Sequence, residues 1–307
     1  MTLAFVFPGQ GSQSAGMLAE LAAQYPVVKD TFVEASTVLK LDLWQTVQDG
    51  PEETLNQTHI TQPAMLTAGV ATWRVWQARG GAMPQWMAGH SLGEYSALVC
   101  AGALDFAAAV ELVALRGRYM QAAVPAGQGA MAAILGLDDA QVIDACKHAA
   151  QGEVVAAVNF NSPGQVVIAG QAAAVNRAME ACKAAGAKRV LPLPVSVPSH
   201  CALMKPAADQ LAQRLQNMNV RKPQIPVLNN VDVAMPDAAD AIRDALVRQL
   251  YNPVRWVETV QRMAGAGVTK LIECGPGKVL VGLNKRIVKD MATHALVDVA
   301  SLDNALA

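Results

Sequence analysis

Short apolar runs that end in polar or glycine-rich loops recur along the chain. They are LAFVF before Pro8-Gly9-Gln10-Gly11, QWMA before Gly89-His90-Ser91, IPVLNN at 225–230, and KLIE before Cys274-Gly275-Pro276-Gly277. Helical patterns separate these runs, and such alternation predicts an α/β fold with a mainly parallel sheet and helices on both faces. Because ligands of such sheets bind beyond the carboxyl ends of the strands, the loops after the runs form the expected site.

The middle of the chain has a different pattern. Four strand-like runs (GAMAAILG, EVVAAVNF, QVVIAG and KRVLPLPV) alternate with two helical ones (DDAQVIDACKHAA and AAAVNRAMEACKAAG). The order βαββαβ is that of a ferredoxin-like unit, with Asn161-Ser162-Pro163-Gly164 as the predicted turn between the two middle strands. We therefore predict a small ferredoxin-like subdomain at 125–197, inserted into a large α/β catalytic domain formed by 1–124 and 198–307.

Composition and charge exclude several classes of protein. The 307 residues are 52% hydrophobic with a formal net charge of −1, which allows a large core and argues against a nucleic-acid binder. No apolar run reaches the roughly 20 residues of a membrane span, and the start of the chain lacks the features of a signal peptide. The five cysteines include no CxxC pair, which favours reduced thiols, a cytoplasmic location and no metal site.

The segment Gly89-His90-Ser91-Leu92-Gly93 matches the pattern G-x-S-x-G of a nucleophile elbow. It follows a predicted strand and opens a predicted helix, which is the context that this motif needs. Flanking glycines permit the tight turn that exposes a serine hydroxyl. Ser91 is therefore the candidate nucleophile, and the alternative is an ordinary serine cap of a buried helix.

A serine nucleophile needs a base, and His200 is the first candidate among five histidines. It follows a predicted strand and lies in the stiff segment VPSH, although a structural histidine remains an open alternative. No acid between Ser91 and His200 stands at a convincing strand end. Either the triad is incomplete, or a neutral group such as a backbone carbonyl orients the imidazole.

Arg116 lies on the apolar side of a predicted helix that runs from about 105 to 122. Its neighbours on that side are Ala109, Leu112, Val113 and Met120. A buried guanidinium without an anion is costly, so the sequence requires a partner for it. That partner is either a distant acid of the same chain or the carboxylate of a substrate.

Seven motifs occur together and in order: FVFPGQGSQ, TQPA, GHSLGEYSAL, LRGRYMQ, NFNSPGQVVIAG, VPSH and ECGPGKVL. With them the chain resembles the free-standing malonyl-CoA:acyl carrier protein transacylases, whose relatives are the acyltransferase domains of fatty-acid and polyketide synthases. The resemblance spans essentially the whole chain. It implies an α/β-hydrolase-like fold with an inserted small subdomain, in agreement with the pattern above.

The resemblance implies an acyltransferase that carries malonyl from malonyl-CoA to the phosphopantetheine thiol of acyl carrier protein, for fatty-acid synthesis. Transfer would pass through a malonyl ester of Ser91, with His200 as base and ping-pong kinetics. The backbone N–H groups of Gln10 and Leu92 would form the oxyanion hole. No metal or cofactor is implied, and one cleft needs no second subunit, so we expect a monomer.

Four further residues take substrate or orienting roles from the resemblance. Arg116 would bind the malonyl carboxylate, and Gln62 and Asn161 would line the cleft. The backbone carbonyl of Gln249 would orient His200, which accounts for the missing acid. A basic rim for an acidic carrier protein is expected at Lys188, Arg189, Lys285, Arg286 and Lys289.

Other functions remain open from the residues. An α/β-hydrolase-like esterase or thioesterase would use the same elbow with water as acceptor, but it would favour an acid paired with the histidine. A malonyl transferase of a polyketide or malonate-decarboxylase system would share almost every motif. A scaffold that only docks carrier proteins is disfavoured because serine, histidine and arginine are all present.

Overall fold

The computed structural model describes residues 2–195 and 197–307. Residues 1 and 196, which fall within the predicted large domain and small subdomain, lie outside the described residues. The strands are β1 (Leu3–Phe7), β2 (Trp86–Gly89), β3 (Gly129–Leu135), β4 (Val155–Ser162), β5 (Gln165–Gln171), β6 (Arg189–Pro192), β7 (Val227–Leu228), β8 (Lys270–Glu273) and β9 (Ala292–Ala295).

Fourteen α-helices occur in the described ranges, with a short 3₁₀ helix at Ala202–Met204. They are α1 (Ala19–Gln24), α2 (Pro26–Leu39), α3 (Leu43–Asp49), α4 (Glu52–Leu55), α5 (Thr58–Ala78), α6 (Gly93–Cys100), α7 (Phe106–Ala123), α8 (Asp139–Ala150), α9 (Ala172–Ala184), α10 (Lys205–Gln216), α11 (Ala239–Gln249), α12 (Trp256–Gly265), α13 (Val279–Ile287) and α14 (Val299–Leu306).

The larger sheet is parallel throughout, in the spatial order β7-β2-β1-β8-β9. The central strand β1 is buried on both faces. Phe5 packs in one apolar cluster, and its neighbours Ala4 and Val6 pack in another on the opposite face. Successive side chains of a strand alternate between faces, so a fully apolar run is what a central strand covered by helices on both sides requires.

All four strands predicted for this sheet are present, and the predicted α/β class is confirmed. The edge strand β9 was not predicted. Its sequence, ATHA, mixes polar and small residues, and only its last residue is buried. An edge strand that faces solvent does not need the apolar run by which the other four were found.

The smaller sheet has the order β4-β5-β3-β6, and all neighbouring pairs are antiparallel. This is the strand order of a ferredoxin-like βαββαβ unit. One face carries the side chains of Ile134, Val166 and Ile168, which form a cluster with residues of α8 and α9. The sheet lies within 125–197, and the bounds of the subdomain remain a prediction.

The predicted turn at 161–164 is shorter in the structure. Asn161 and Ser162 belong to β4, and Ser162 pairs with Gln165 at the start of β5. Only Pro163 and Gly164 make the connection, with Gly164 at a φ of 73°. The strand extends further than predicted because Ser162 still pairs with β5, and both Asn161 and Ser162 are buried.

The two sheets are joined at β4. The backbone N–H of Val254 donates to Val158 O at 2.8 Å, and the N–H of Phe160 donates to Val254 O at 3.1 Å. Val254 itself belongs to an apolar cluster of the larger sheet. These bonds fix the small sheet beside the carboxyl ends of the parallel strands, where a cavity lies between the two.

Candidate active site

Ser91 lies on a strained turn between β2 and α6. Its φ is 52°, a left-handed value that non-glycine residues rarely adopt. The glycines on either side are required by close backbone approach. A Cβ on Gly89 would lie 1.8 Å from the carbonyl carbon of Gly93, and a Cβ on Gly93 would lie 2.0 Å from Phe7 O. The turn therefore tolerates no side chain at either glycine, and it exposes the serine hydroxyl.

Ser91 and His200 form a hydrogen-bonded pair. Ser91 Oγ lies 2.8 Å from His200 Nε2, and His200 Nδ1 lies 2.8 Å from Gln249 O. Since a backbone carbonyl can only accept, Nδ1 carries the proton and Nε2 is left to accept from the serine. The group that orients the imidazole is thus the neutral backbone carbonyl of Gln249, where a hydrolase triad has an acid.

The imidazole of His200 is held neutral. Burial lowers the pKa of His200 to about 3; the charge of Arg116 adds to that effect, and the bond to the Gln249 carbonyl opposes it. His200 also has a φ of 64°, and its backbone N–H donates to Leu250 O at 2.9 Å. A neutral imidazole fixed in this way is ready to take a proton from Ser91.

The side chain of Arg116 extends from α7 to the pair of Ser91 and His200, and it is 1% exposed. Its Nη1 donates to Gln62 Oε1 at 2.8 Å, and its Nη2 donates to Gln249 Oε1 at 3.0 Å and to Ser91 Oγ at 3.3 Å. The guanidinium carbon lies 5.3 Å from the ring centre of Tyr95. No ion pair joins Arg116 to a carboxylate in the described ranges, and its Nε has no hydrogen-bond partner there.

The cavity beside Ser91 is lined on the large-sheet side by Gln10, Leu92, Arg116 and His200. The small subdomain contributes Met131, Asn159, Leu193 and Val195. The backbone N–H groups of Gln10 and Leu92 form no hydrogen bond with the described residues. Two amides beside a serine hydroxyl can donate to an oxygen that gains charge there.

Gln62 and Asn161 contact the site residues and do not line the cavity itself. Gln62 is 1% exposed in α5 and holds Arg116. Asn161 Oδ1 lies 2.8 Å from His90 Nε2, and His90 lines the cavity. Burial lowers the pKa of His90. Because an amide oxygen only accepts, His90 Nε2 donates to Asn161, and this bond ties the strand β4 to the elbow.

Two buried polar residues behind the elbow, Glu94 and Asn230, were not predicted. Asn230 Oδ1 accepts from Ser91 N at 2.7 Å, and Asn230 Nδ2 donates to Gly89 O at 2.7 Å. Glu94 Oε2 accepts from Asn230 N at 2.9 Å and from Gln249 Nε2 at 2.8 Å. The available signal was a glutamate three residues after Ser91, the one charged residue of the helix α6.

The five predicted rim cations, Lys188, Arg189, Lys285, Arg286 and Lys289, are all exposed. Arg286 Nη1, at the end of α13, donates to Gln165 Oε1 at 2.8 Å. Gln165 and Arg189 both pair with Leu135, so Arg286 and Arg189 lie toward the same end of the small sheet.

No described group of three His, Cys, Asp or Glu side chains could hold a metal ion. None of the helices in the described ranges has the length and apolar character of a membrane span.

The family model described as acyl transferase domain matches residues 4–303. The chain belongs to the acyl transferase domain family. The chain is therefore an acyltransferase, and the resemblance noted from the seven motifs is confirmed.

The relatives of this acyl transferase are similar over nearly the whole chain. The malonyl CoA-acyl carrier protein transacylase of Salmonella typhimurium is 65% identical over 99% of this chain and 98% of its own length. The transacylase of Bacillus subtilis is 46% identical, with 99% of this chain and 96% of the relative covered.

Two solved structures have the same fold as this acyl transferase. The acyl carrier protein S-malonyltransferase of Vibrio cholerae has a TM-score of 0.97 and 66% identity, with 99% of each chain covered. A malonyl-transacylase in complex with its type II PKS acyl-carrier protein has a TM-score of 0.99 and 63% identity, covering 100% of this chain and 99% of its own.

Proposed function

We propose that this acyl transferase moves a malonyl group from malonyl-CoA to the phosphopantetheine thiol of acyl carrier protein, for fatty-acid synthesis. The observation that carries the proposal is the position of Arg116, a buried cation that forms no ion pair with a described residue and lies 3.3 Å from the hydroxyl of Ser91. A substrate carboxylate two carbons from the reacting carbonyl would supply the missing anion. Guanidinium binds a carboxylate through two parallel hydrogen bonds that lysine cannot reproduce.

The first half-reaction loads the enzyme. His200 Nε2 takes the proton of Ser91 Oγ as the oxygen attacks the thioester carbonyl. The carbon–sulfur bond then breaks, and His200 returns the proton to the coenzyme A thiolate. The N–H groups of Gln10 and Leu92 would stabilise the tetrahedral oxyanion, a contribution of about 3–4 kcal/mol for a donor in comparable sites.

The second half-reaction unloads the enzyme by the same steps. His200 takes the proton of the phosphopantetheine thiol, and the thiolate attacks the carbonyl of the malonyl ester. The ester bond to Ser91 breaks, and the serine oxygen recovers its proton. Because the donor leaves before the acceptor reacts, kinetics should be ping-pong. No metal or cofactor takes part in this scheme.

Intact mass after mixing with malonyl-CoA tests the proposal. We expect a malonyl adduct on Ser91 that acyl carrier protein discharges and buffer does not. Rapid loss of the adduct to water would instead indicate a hydrolase. The neutral carbonyl of Gln249 on His200 Nδ1 favours the transferase, since the expected orienting group of a hydrolase triad is an acid.

The pathway remains a separate question. One solved relative is described with a type II PKS acyl-carrier protein, so a role in a polyketide or malonate-decarboxylase system is the second candidate. Unloading rates with a panel of carrier proteins from the same cell would distinguish these systems. A monomeric, cytoplasmic enzyme that binds neither nucleic acid nor membrane is part of the same proposal.

A further inference from the structure

Glu94 is a buried acid that neither half-reaction uses. It lies in α6, three residues after Ser91, and is 2% exposed. Burial raises the pKa of Glu94 to about 7, and its hydrogen bonds from Gln249 and Asn230 oppose that shift. Burial of an acid costs free energy, so we expect Glu94 to have a specific role at this position.

The bonds of Glu94 differ from those of Glu273, a second buried acid of the chain. Glu273 accepts from the backbone N–H groups of Leu280 and Val281, so it caps α13. Glu94 also accepts from one backbone N–H, but its other donor is the side-chain amide of Gln249. Glu94 is therefore connected to a movable side chain of the site.

The amide of Gln249 has one acceptor and two donor hydrogens, and its two orientations have nearly the same shape. In the structure, Oε1 accepts from Arg116 Nη2, and Nε2 donates to Glu94 Oε2 and to Ser91 O. A reversed amide would point N–H groups at the guanidinium, where they repel. Glu94 Oε2 accepts from Asn230 N, so the same oxygen is an acceptor toward Gln249 as well. It therefore holds the Gln249 amide with its nitrogen toward Glu94 and its oxygen toward Arg116.

The same arrangement orients Arg116 without blocking it. An acid in direct contact with the guanidinium would occupy the N–H groups that a substrate carboxylate needs. The amide of Gln249 lies between Glu94 and Arg116, so Glu94 occupies none of these N–H groups. The side of Arg116 that faces Ser91 and the cavity stays available.

We infer that Glu94 is a positioning residue for acyl-group selectivity: through the amide of Gln249 it orients Arg116 toward acyl groups that carry a carboxylate. It touches neither the substrate nor the reacting atoms. The inference rests on the proposed function, in which Arg116 binds the malonyl carboxylate.

The test compares single-turnover loading of Ser91 from malonyl-CoA and from acetyl-CoA, followed by intact mass. In Glu94→Ala the malonyl-to-acetyl ratio should fall at least about tenfold, the loss expected when a hydrogen bond to a charged group is no longer held. In Glu94→Gln the amide oxygen can accept both bonds, so the ratio should stay within about threefold of the unsubstituted chain.

Glu273→Ala is the matched control, because it removes a buried acid of similar pKa that only caps a helix. It should lower the melting temperature and leave the ratio unchanged. If Glu94→Ala does not fold, Gln249→Met takes its place. It keeps the carbonyl that orients His200 and removes the amide, so the same loss of ratio is expected.

An unchanged ratio in folded Glu94→Ala overturns the inference, as does a loss in Glu94→Gln equal to that of the alanine variant. Either result leaves the proposed function standing, provided that the unsubstituted chain prefers malonyl. An unsubstituted chain without that preference contradicts the proposed function itself, and the inference with it.

Discussion

Two neighbouring parts of the active site differ in how they use charge. Ser91 and His200 are both neutral, and the imidazole is oriented by the carbonyl of Gln249. Beside this pair, Arg116 is a buried cation, held by the amide oxygens of Gln62 and Gln249. In the proposed function, reactivity therefore comes from neutral groups, and the charge of Arg116 serves recognition.

The difference explains why an orienting acid would be unfavourable here. Gln249 contacts His200 through its backbone and Arg116 through its side chain. A carboxylate beside His200 would place an anion next to Arg116, in competition with the carboxylate of the substrate. The carbonyl orients the imidazole without that competition.

Removal of the nucleophile should have the largest effect. Ser91→Ala leaves no oxygen to form the ester, so no adduct should appear with either malonyl-CoA or acetyl-CoA. Intact mass measures this directly. If folded Ser91→Ala forms as much adduct as the unsubstituted chain, the nucleophile is a different residue, and Ser91 and His200 are not the reactive pair.

Removal of the base should slow both acyl groups equally. His200→Ala should lower the loading rate by about 10²–10⁴-fold, the usual contribution of a general base. Since Arg116 is unchanged, the malonyl-to-acetyl ratio should stay the same. A selective loss of malonyl transfer would show that His200 also takes part in recognition. Reactivity and recognition would then not belong to different residues.

The loading rate should persist to lower pH than an ordinary histidine base would allow. A histidine with its usual pKa of 6.5 would be about 90% protonated at about pH 5.5 and would lose about tenfold in loading rate. Burial lowers the pKa of His200 to about 3, so its base form persists and the rate should change less than about twofold between pH 7.5 and 5.5. Stopped-flow loading, with circular dichroism to verify folding, measures this. A tenfold loss would mean that His200 is not held neutral.

Charge outside the cavity should matter least, and only for the carrier protein. Arg286→Glu should raise the apparent KM for carrier protein by about three- to tenfold and leave that for malonyl-CoA unchanged, because rim charges mainly affect encounter. Lys183→Glu is the matched control, since Lys183 is an exposed cation on α9 that pairs with Glu180. Equal effects on both substrates, or an equal effect of the control, would contradict a docking role.

Much of this architecture could be predicted because its signals are local. An apolar run followed by glycine marks β1, β2 and β8, and the glycines at 89 and 93 mark the elbow itself. The apolar neighbours of Arg116 at helical spacing predict that its side chain points inward, and the structure shows it buried. Each of these features depends on residues within a few positions of one another.

The network behind the elbow could not be predicted in the same way. Glu94 has its partners 136 and 155 positions away, at Asn230 and Gln249. A buried carboxylate is tolerated only where such donors converge, and no local pattern encodes that convergence. The edge strand β9 was missed for the opposite reason, since its mixed residues have no strong requirement for burial.

The most direct measurement is the loading of folded Arg116→Ala with malonyl-CoA and acetyl-CoA. The separation of reactivity from recognition predicts that malonyl loading falls at least about 100-fold, since two charge-assisted hydrogen bonds are lost. Acetyl loading should persist or rise, because Ser91 and His200 are untouched. A fall of both rates by the same factor would mean that Arg116 is structural, and that the carboxylate is bound elsewhere.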